Sequence, residues 1–341
     1  MSRDFSPLPA DMLSRRLARR LMLGRVSYWA WHRPLSALAQ SRRAGGPWQQ
    51  WLDLRGEAAM RRAAATLPPR NRPAEAAAEV WFLTGQRFWH QTAFCAWSLL
   101  QHSSDTVQPC FIDDGSFDDA LVAESLRLFP GATVRRAAGI EAQLDQTLPA
   151  AKFPALRAQR RTYIHLRKFT DVHAGGRGWR LVLDSDMLFF RRPDALLEWL
   201  AAPDRPVHMI DVHDAYGYPA TTLAELAGRS VPACVNVGVC GFRSDTIDWE
   251  QLEAWTAQLL ARHGTSYYLE QALVALLATA ADPLRLPRAD YLLMPDIAEC
   301  QHPTAALHHY VDLSKRGYFR HAWRHIAKAG GEHVASENSS K

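Results

Sequence analysis

The chain has no long apolar run, no Cys-x-x-Cys pair and few acidic residues in its first 75 positions. The longest apolar stretch, about Ala272 to Ala281, falls well short of the roughly 20 residues that a membrane span requires. No apolar segment followed by a small-residue cleavage site opens the chain, so no secretory signal is expected. Cys95, Cys110, Cys234, Cys240 and Cys300 are odd in number. Their spacing argues against a zinc knuckle or a disulfide framework, and a reducing cytoplasm is the expectation. Internal repeats are also missing. What remains is a 341-residue chain with 48% hydrophobic and 22% charged residues, enough for a full globular core in one large domain or two small ones.

The charge is unevenly placed. Residues 1–75 hold 14 arginines against Asp4, Asp11, Asp53, Glu57 and Glu75, a balance of +9, which leaves −4 for the rest of the +5 chain. Met12 to Leu23 reads as a basic amphipathic helix, followed by Tyr28, Trp29 and Trp31. Such a helix lies on an anionic membrane face or packs on the protein body with its arginines in solvent, and both readings stay open. Nucleic acid is not expected as a partner, because no recognised binding module accompanies the arginines. A second helix, about Trp48 to Ala65, leads to the linker Leu67-Pro-Pro-Arg-Asn-Arg-Pro73. The expected division is a helical extension over 1–75, an α/β domain over 76–325 and a polar, disordered tail over 326–341.

From Glu79 strands and helices alternate. Val80–Thr84, Val107–Ile112 and a short segment near Ala132–Val134 read as strands; Phe88–Gln101 and Phe117–Phe129 read as helices between them. Arg157–His173 reads as one long basic helix feeding the apolar strand Arg180–Leu183. This alternation predicts right-handed βαβ units and a mainly parallel, Rossmann-like sheet flanked by helices. The strand at 180–183 runs into Asp184-Ser-Asp186, with Met187 to Phe190 apolar beyond. Carboxylates at the carboxyl end of a strand lie on the ligand-binding edge of an open α/β sheet. Two of them want a cation or several donors there, and a divalent metal shared with a substrate diphosphate meets that need.

These motifs, in this order, resemble the GT-A nucleotide-sugar glycosyltransferases. The downstream motifs are most similar to the retaining family 8, which includes glycogenin and bacterial lipopolysaccharide galactosyltransferases. The resemblance covers about Val80 to Phe319 and rests on motif order and spacing. It implies a GT-A fold and a site in which Asp184, Asp186 and a histidine hold Mn²⁺ or Mg²⁺, Asp184 also contacting the ribose. His309-Tyr-Val-Asp-Leu-Ser-Lys315 has the implied histidine-to-lysine spacing, with His308 and His302 as nearby competitors. Asp312 stands where the family has glycine, and Arg316-Gly317 where it has Pro-Trp. Lys315 would bind the diphosphate. Arg167, 17 residues before Asp184, would contact the donor, or else be a solvated charge, with Lys168 pointing elsewhere.

The resemblance also assigns Asn236 and Gly238, in Cys234-Val-Asn-Val-Gly-Val-Cys-Gly-Phe242, to the donor sugar. A core strand bulged at Gly238 is the alternative. Glu270 and Gln271 would face the anomeric carbon, Glu270 standing where the family has aspartate, or simply begin a helix. Thr84 and Gly85 would meet base and ribose. One of the acids of Asp113-Asp114-Gly115-Ser116, Asp113 in the first instance, would hold the base or ribose unless the segment is only a turn. The implied activity is transfer of a sugar, from UDP in the first instance, to a glycan or lipid-linked acceptor by a hexosyltransferase of polysaccharide synthesis. Its expected place is the cytoplasm or the inner membrane face. Alternatives are an inverting GT-A enzyme with Asp211 or Asp214 as base, and a catalytically degenerate sugar-nucleotide-binding module.

Overall fold

The strand that ends in the acidic pair lies at the middle of a seven-stranded sheet. The computed structural model describes residues 45–74, 77–103 and 105–330, and the chain divides into two compact units, Met1–Gly56 and Glu57–Lys341. The segment Pro47–Ala64 is helical, close to the predicted limits. The predicted basic helix Met12–Leu23 with its aromatic cluster lies outside the described residues, as does the tail beyond Gly330. Among the described residues, no helix is long and apolar enough to cross a membrane.

The strands in chain order are β1 (Ala78–Thr84), β2 (Val107–Asp113), β3 (Thr133–Arg135), β4 (Trp179–Leu183), β5 (Met187–Phe189), β6 (Val207–Ile210), β7 (Val235–Arg243), β8 (Leu284–Arg285), β9 (Tyr291–Leu293) and β10 (Leu307–His309). The large sheet runs β3-β2-β1-β4-β7-β6-β8 and the small one β5-β10-β9. In the large sheet β1 is parallel to β2 and β4, β2 to β3, and β6 to β8, while β7 runs antiparallel to β4 and β6. The sheet is therefore mainly parallel, as the alternation predicts. Strand side chains point alternately to the two faces. Val80, Phe82, Leu181 and Leu183 join the core that contains the helix Trp89–Ser103. Trp81 and Val182, one residue out of step, join the opposite core, which contains the helices Ala137–Thr147, Trp249–His263 and Leu269–Ala278.

One expectation is corrected. Arg157–His173 is not one helix but three pieces: Pro154–Thr162, a 3-10 turn at Ile164–Leu166, and Arg167–His173. The break is at Tyr163, which is extended (φ −124°, ψ 95°) and whose hydroxyl donates to the Tyr267 carbonyl at 2.6 Å. Of the arginines before the break, Arg161 is exposed, while Arg157 and Arg160 are buried. Arg157 pairs with Glu141 and, at 2.9 Å, with Asp145; Arg160 holds both oxygens of buried Asp171 at 2.6 and 2.9 Å. Removing one partner of such a pair leaves an uncompensated buried charge, typically at a cost of about 3–5 kcal/mol. The basic pattern is thus a set of ties between the helices Ala137–Thr147, Pro154–Thr162 and Arg167–His173.

His173 sits in this layer, with Nδ1 2.9 Å from the Ser244 hydroxyl and no partner at Nε2. Burial, with Arg180 nearby, pushes its pKa down from 6.5 to about 3. The folded form therefore disfavours the charged ring. Its contribution is complete above pH 6.5 and declines as pH falls towards 3, where the unfolded chain binds the extra proton. Between pH 7 and pH 5 this one group should remove about 2 kcal/mol of stability. Urea midpoints of the protein and of His173→Gln at the two pH values check this; the variant should show a smaller loss, and an equal loss contradicts it.

Candidate functional site

Three strands converge on the turn after β4. The Asp184 amide donates to the Gly238 carbonyl of β7 at 2.8 Å, and the Tyr310 amide, just past β10, donates to the Asp186 carbonyl at 2.9 Å. Between them the Ser185 hydroxyl accepts from Thr92 at 2.7 Å. Met187 to Phe189 do not continue β4 but start β5 in the small sheet, pairing antiparallel with β10 and so setting Met187 opposite His309. The carboxylates of Asp184 and Asp186 lie 3.6 and 3.5 Å from His309 Nε2. One ligand atom from each of the three residues lies within 4.8 Å of the others. The His309 ring is 2% exposed, and neither of its nitrogens has a hydrogen-bond partner. A buried, orphaned imidazole nitrogen aimed at two carboxylates is a mixed nitrogen and oxygen donor set, which fits Mn²⁺ better than Ca²⁺.

The competing histidines are placed elsewhere. His308, on the opposite face of β10, has Nδ1 2.9 Å from the Tyr310 hydroxyl and Nε2 2.8 Å from Glu299. His302 follows the short helix Ile297–Gln301 and is not one of the clustered ligands. Gly238 makes room for the ligand ring. A Cβ there would lie 2.3 Å from His309 Cε1 and 2.6 Å from Met187 Cε. Gly238 also falls in the bulge of β7, between Asn236, which pairs with Met209, and Cys240, which pairs with His208. Asp312 has φ +48°, a left-handed conformation that glycine adopts freely and aspartate tolerates. That conformation accounts for the departure at this position.

Two lysines neutralise the acids. Lys315 Nζ is 3.0 Å from Asp186, and buried Lys168 Nζ is 2.6 Å from Asp184 and 3.2 Å from Glu270. Burial disfavours the Lys168 charge, but Asp184 and Glu270 outweigh it and raise its pKa. Burial also works against ionisation of Asp186, yet His309 and Lys315 hold its carboxyl well below the usual range. Glu270 is pushed up to about 7, by burial first and by Asp184, against the opposing pull of Lys168. Lys168, expected to point elsewhere, is the residue that reaches the acidic pair. The half-buried Arg167 guanidinium donates to the Asp114 carbonyl at 2.7 Å.

Two cavities, about 520 and 280 Å³, share Asp184, Lys168, His165 and Tyr267 in their walls. The smaller lies over the end of β1 and takes in Thr84, Phe88, Asp114, Asp186 and Lys315. The larger takes in Asn236, Gly238, Glu270, Gln271 and His309. Asp211 joins two of these groups, accepting from Asn236 at 3.0 Å and from Gln271 at 3.1 Å. Asp113 is not brought to either cavity. Its carboxylate accepts the amides of Gly115, Phe117 and Ala137 at 2.7, 3.0 and 3.0 Å, so the turn reading describes it and Asp114 is the acid on the wall. Gly85 lines neither cavity; a Cβ there would lie 2.1 Å from the Asp114 carboxylate. Sequence reasoning missed Lys168 and the tying role of Asp211. Spacing alone cannot separate adjacent basic residues on a helix, since it does not say which of them faces the motif.

No family model and no curated protein matches the sequence. Solved structures that are similar include a galactosyltransferase, LgtC, in complex with donor and acceptor sugar analogues. It is 16% identical, over 74% of this chain and 95% of that one, with a TM-score of 0.49. Mouse xyloside xylosyltransferase 1 is 10% identical over 69% of this chain and 97% of that one, with a TM-score of 0.45. The mannosyltransferase Ktr4p from S. cerevisiae is 8% identical over 66% and 74%, with a TM-score of 0.43. Likenesses at this level carry no weight for the chemistry, which rests on the geometry above.

Gly238→Ala should displace His309 and weaken Mn²⁺ binding by about 10–100-fold, the range seen when the support of a metal ligand is lost. Loss of the free-Mn²⁺ electron paramagnetic resonance signal on titration measures it. Unchanged affinity in a folded variant contradicts the assignment of His309.

Proposed function

We propose that the chain is a metal-dependent glycosyltransferase that moves a sugar from a nucleotide diphosphate, UDP in the first instance, to a glycan or lipid-linked acceptor with retention at the anomeric carbon. The observation that carries this reading is the orphaned His309 Nε2 beside Asp184 and Asp186, with Lys315 at 3.0 Å, at the junction of two cavities. Asp184, Asp186 and His309 would hold Mn²⁺ or Mg²⁺, which supplies charge neutralisation to a departing diphosphate. The smaller cavity suits the nucleoside and the larger suits the sugar and the acceptor hydroxyl. Lys315 and Lys168 add fixed positive charge where the leaving group gains negative charge, and each ~1.4 kcal/mol of such stabilisation is tenfold in rate.

Within the larger cavity, Asp211 fixes the Gln271 and Asn236 amides. Gln271 donates its nitrogen to Asp211, which leaves its amide oxygen to face an electron-poor sugar ring. The carboxylates of Asp184, Asp211, Glu270 and Asp312 outnumber the one lysine on this wall, which suits a neutral sugar better than a uronate. Retention is favoured over inversion because both proposed bases are committed. The Asp211 carboxylate accepts from Val212, Asn236 and Gln271, and Asp214 accepts from the Cys234 amide outside this cavity. The arginine excess of residues 1–75 supports a cytoplasmic enzyme held peripherally at an anionic membrane face.

Thermal unfolding with UDP, GDP and ADP, each with and without Mn²⁺, tests the reading. UDP with Mn²⁺ at 100 times its dissociation constant should add about 2.7 kcal/mol of stability, and Asp186→Asn should abolish that gain. A shift for GDP alone changes the donor. No shift for any nucleotide with metal contradicts the site.

A further inference from the structure

A third cavity, of about 390 Å³, lies beside the larger one and shares none of its lining residues. The segment Asp211–Tyr218 is the wall between the two. Asp211, Val212, His213 and Ala215 face the larger cavity, while Asp214, Tyr216 and Tyr218 face the third. Adjacent residues of this segment thus line different cavities, and consecutive Cα atoms are only about 3.8 Å apart, so the two cavities are neighbours across His213–Tyr216.

The wall is built rather than loose. The Tyr216 hydroxyl donates to the Pro232 carbonyl at 2.5 Å and accepts from the Val235 amide at 3.0 Å. The Asp214 carboxylate accepts from the Cys234 amide at 2.5 Å, and the Tyr218 hydroxyl donates to the Gly264 carbonyl at 3.3 Å. Gly217 has φ +68°, and a Cβ there would lie 2.0 Å from Ser266 Oγ, so a side chain at this turn is strained. A preformed concavity with apolar and aromatic walls and a few convergent polar groups is the usual form of a ligand site. Here the walls are Tyr216, Tyr218, Pro219 and Pro232, and the polar groups are the Asp214 carboxylate and the Ser230 hydroxyl. No lysine or arginine is among the lining residues, which disfavours a phosphate or carboxylate ligand. Tyr216 and Tyr218 are buried in the core and show the cavity only a small part of their surface, so the apolar contact falls to the prolines; these, with a carboxylate and a hydroxyl to meet hydroxyl groups, match an uncharged saccharide.

We propose that this third cavity is a subsite for the inner sugars of an oligosaccharide acceptor, whose terminal hydroxyl reaches into the larger cavity past His213 and Ala215. The acceptor is then a neutral glycan of three or more sugars. The inference rests on the glycosyltransferase reading and adds the acceptor class to it.

Ala224 and Ser230 line the third cavity and neither belongs to the larger one, so Ala224→Phe and Ser230→Trp each fill it from a different wall. The full chain and both variants, with UDP and Mn²⁺ present, are tested for retention on an array of immobilised neutral oligosaccharides of one to six sugars. Thermal unfolding of the same three proteins with UDP and Mn²⁺ reports the donor site. The expected result is retention of glycans of three or more sugars by the parent chain, lost at least tenfold in both variants, with an unchanged UDP shift. Retention equal in all three proteins, or no retention of any glycan of that length, overturns the subsite while a preserved UDP shift leaves the donor site standing. A parent chain without the UDP shift overturns the donor site and this inference with it.

Discussion

Two carboxylates two residues apart, in a turn that three strands pin, repel each other unless positive charge is placed between and around them. Much of the site follows from that constraint. The Lys168 and Lys315 ammonium groups lie within 2.6 and 3.0 Å of them, and the unpartnered His309 nitrogen faces both. The small sheet depends on the same turn. Leaving Asp186, the chain changes sheets at once, so that β5 delivers β10 and its histidine to the acidic pair. Gly238 keeps the space that the imidazole fills. A cation at this point would convert a set of unfavourable burials into a set of mutual attractions.

Most of the frame was legible because it depends on local pattern. Short apolar runs placed β1, β2 and β4, and the order of strands and helices implied a parallel sheet. The acidic pair was legible for the same reason: it ends an apolar strand, and strand ends in such sheets face the ligand. His309 could be told from His308 only in the folded chain, since adjacent strand residues face opposite sides and the sequence does not say which side faces the acids. Arg167 and Lys168 are the parallel case on a helix. Adjacent helix residues point in different directions, and only the folded chain shows that Lys168 reaches Asp184 and Glu270. That Arg157 and Arg160 are buried was not legible, because their partners, Glu141, Asp145 and Asp171, come from two other helices. Asp113 and Asp114 divide between themselves the turn and wall roles that the sequence left joined.

The three cavities suggest a division of labour along one edge of the sheet. The smallest suits the nucleoside at the end of β1, the largest suits the reacting sugar beside Gln271 and Glu270, and the third suits the rest of an acceptor chain. Asp211 stands at the hinge of this arrangement. Its carboxylate accepts from the Asn236 and Gln271 amides, and its carbonyl accepts from Arg288. The end of β6, two amides of the larger cavity and the segment that divides it from the third are thereby tied to one residue.

The central claim is that Asp184, Asp186 and His309 hold a metal on which a nucleotide diphosphate rests. The most direct test is a crystal grown with UDP and Mn²⁺, measured at the manganese absorption edge. The account predicts one anomalous peak bounded by the three side chains, with the diphosphate between it and Lys315 and the base in the smaller cavity. A nucleotide bound elsewhere, or one bound in that cavity with no anomalous peak at the triad, would contradict it.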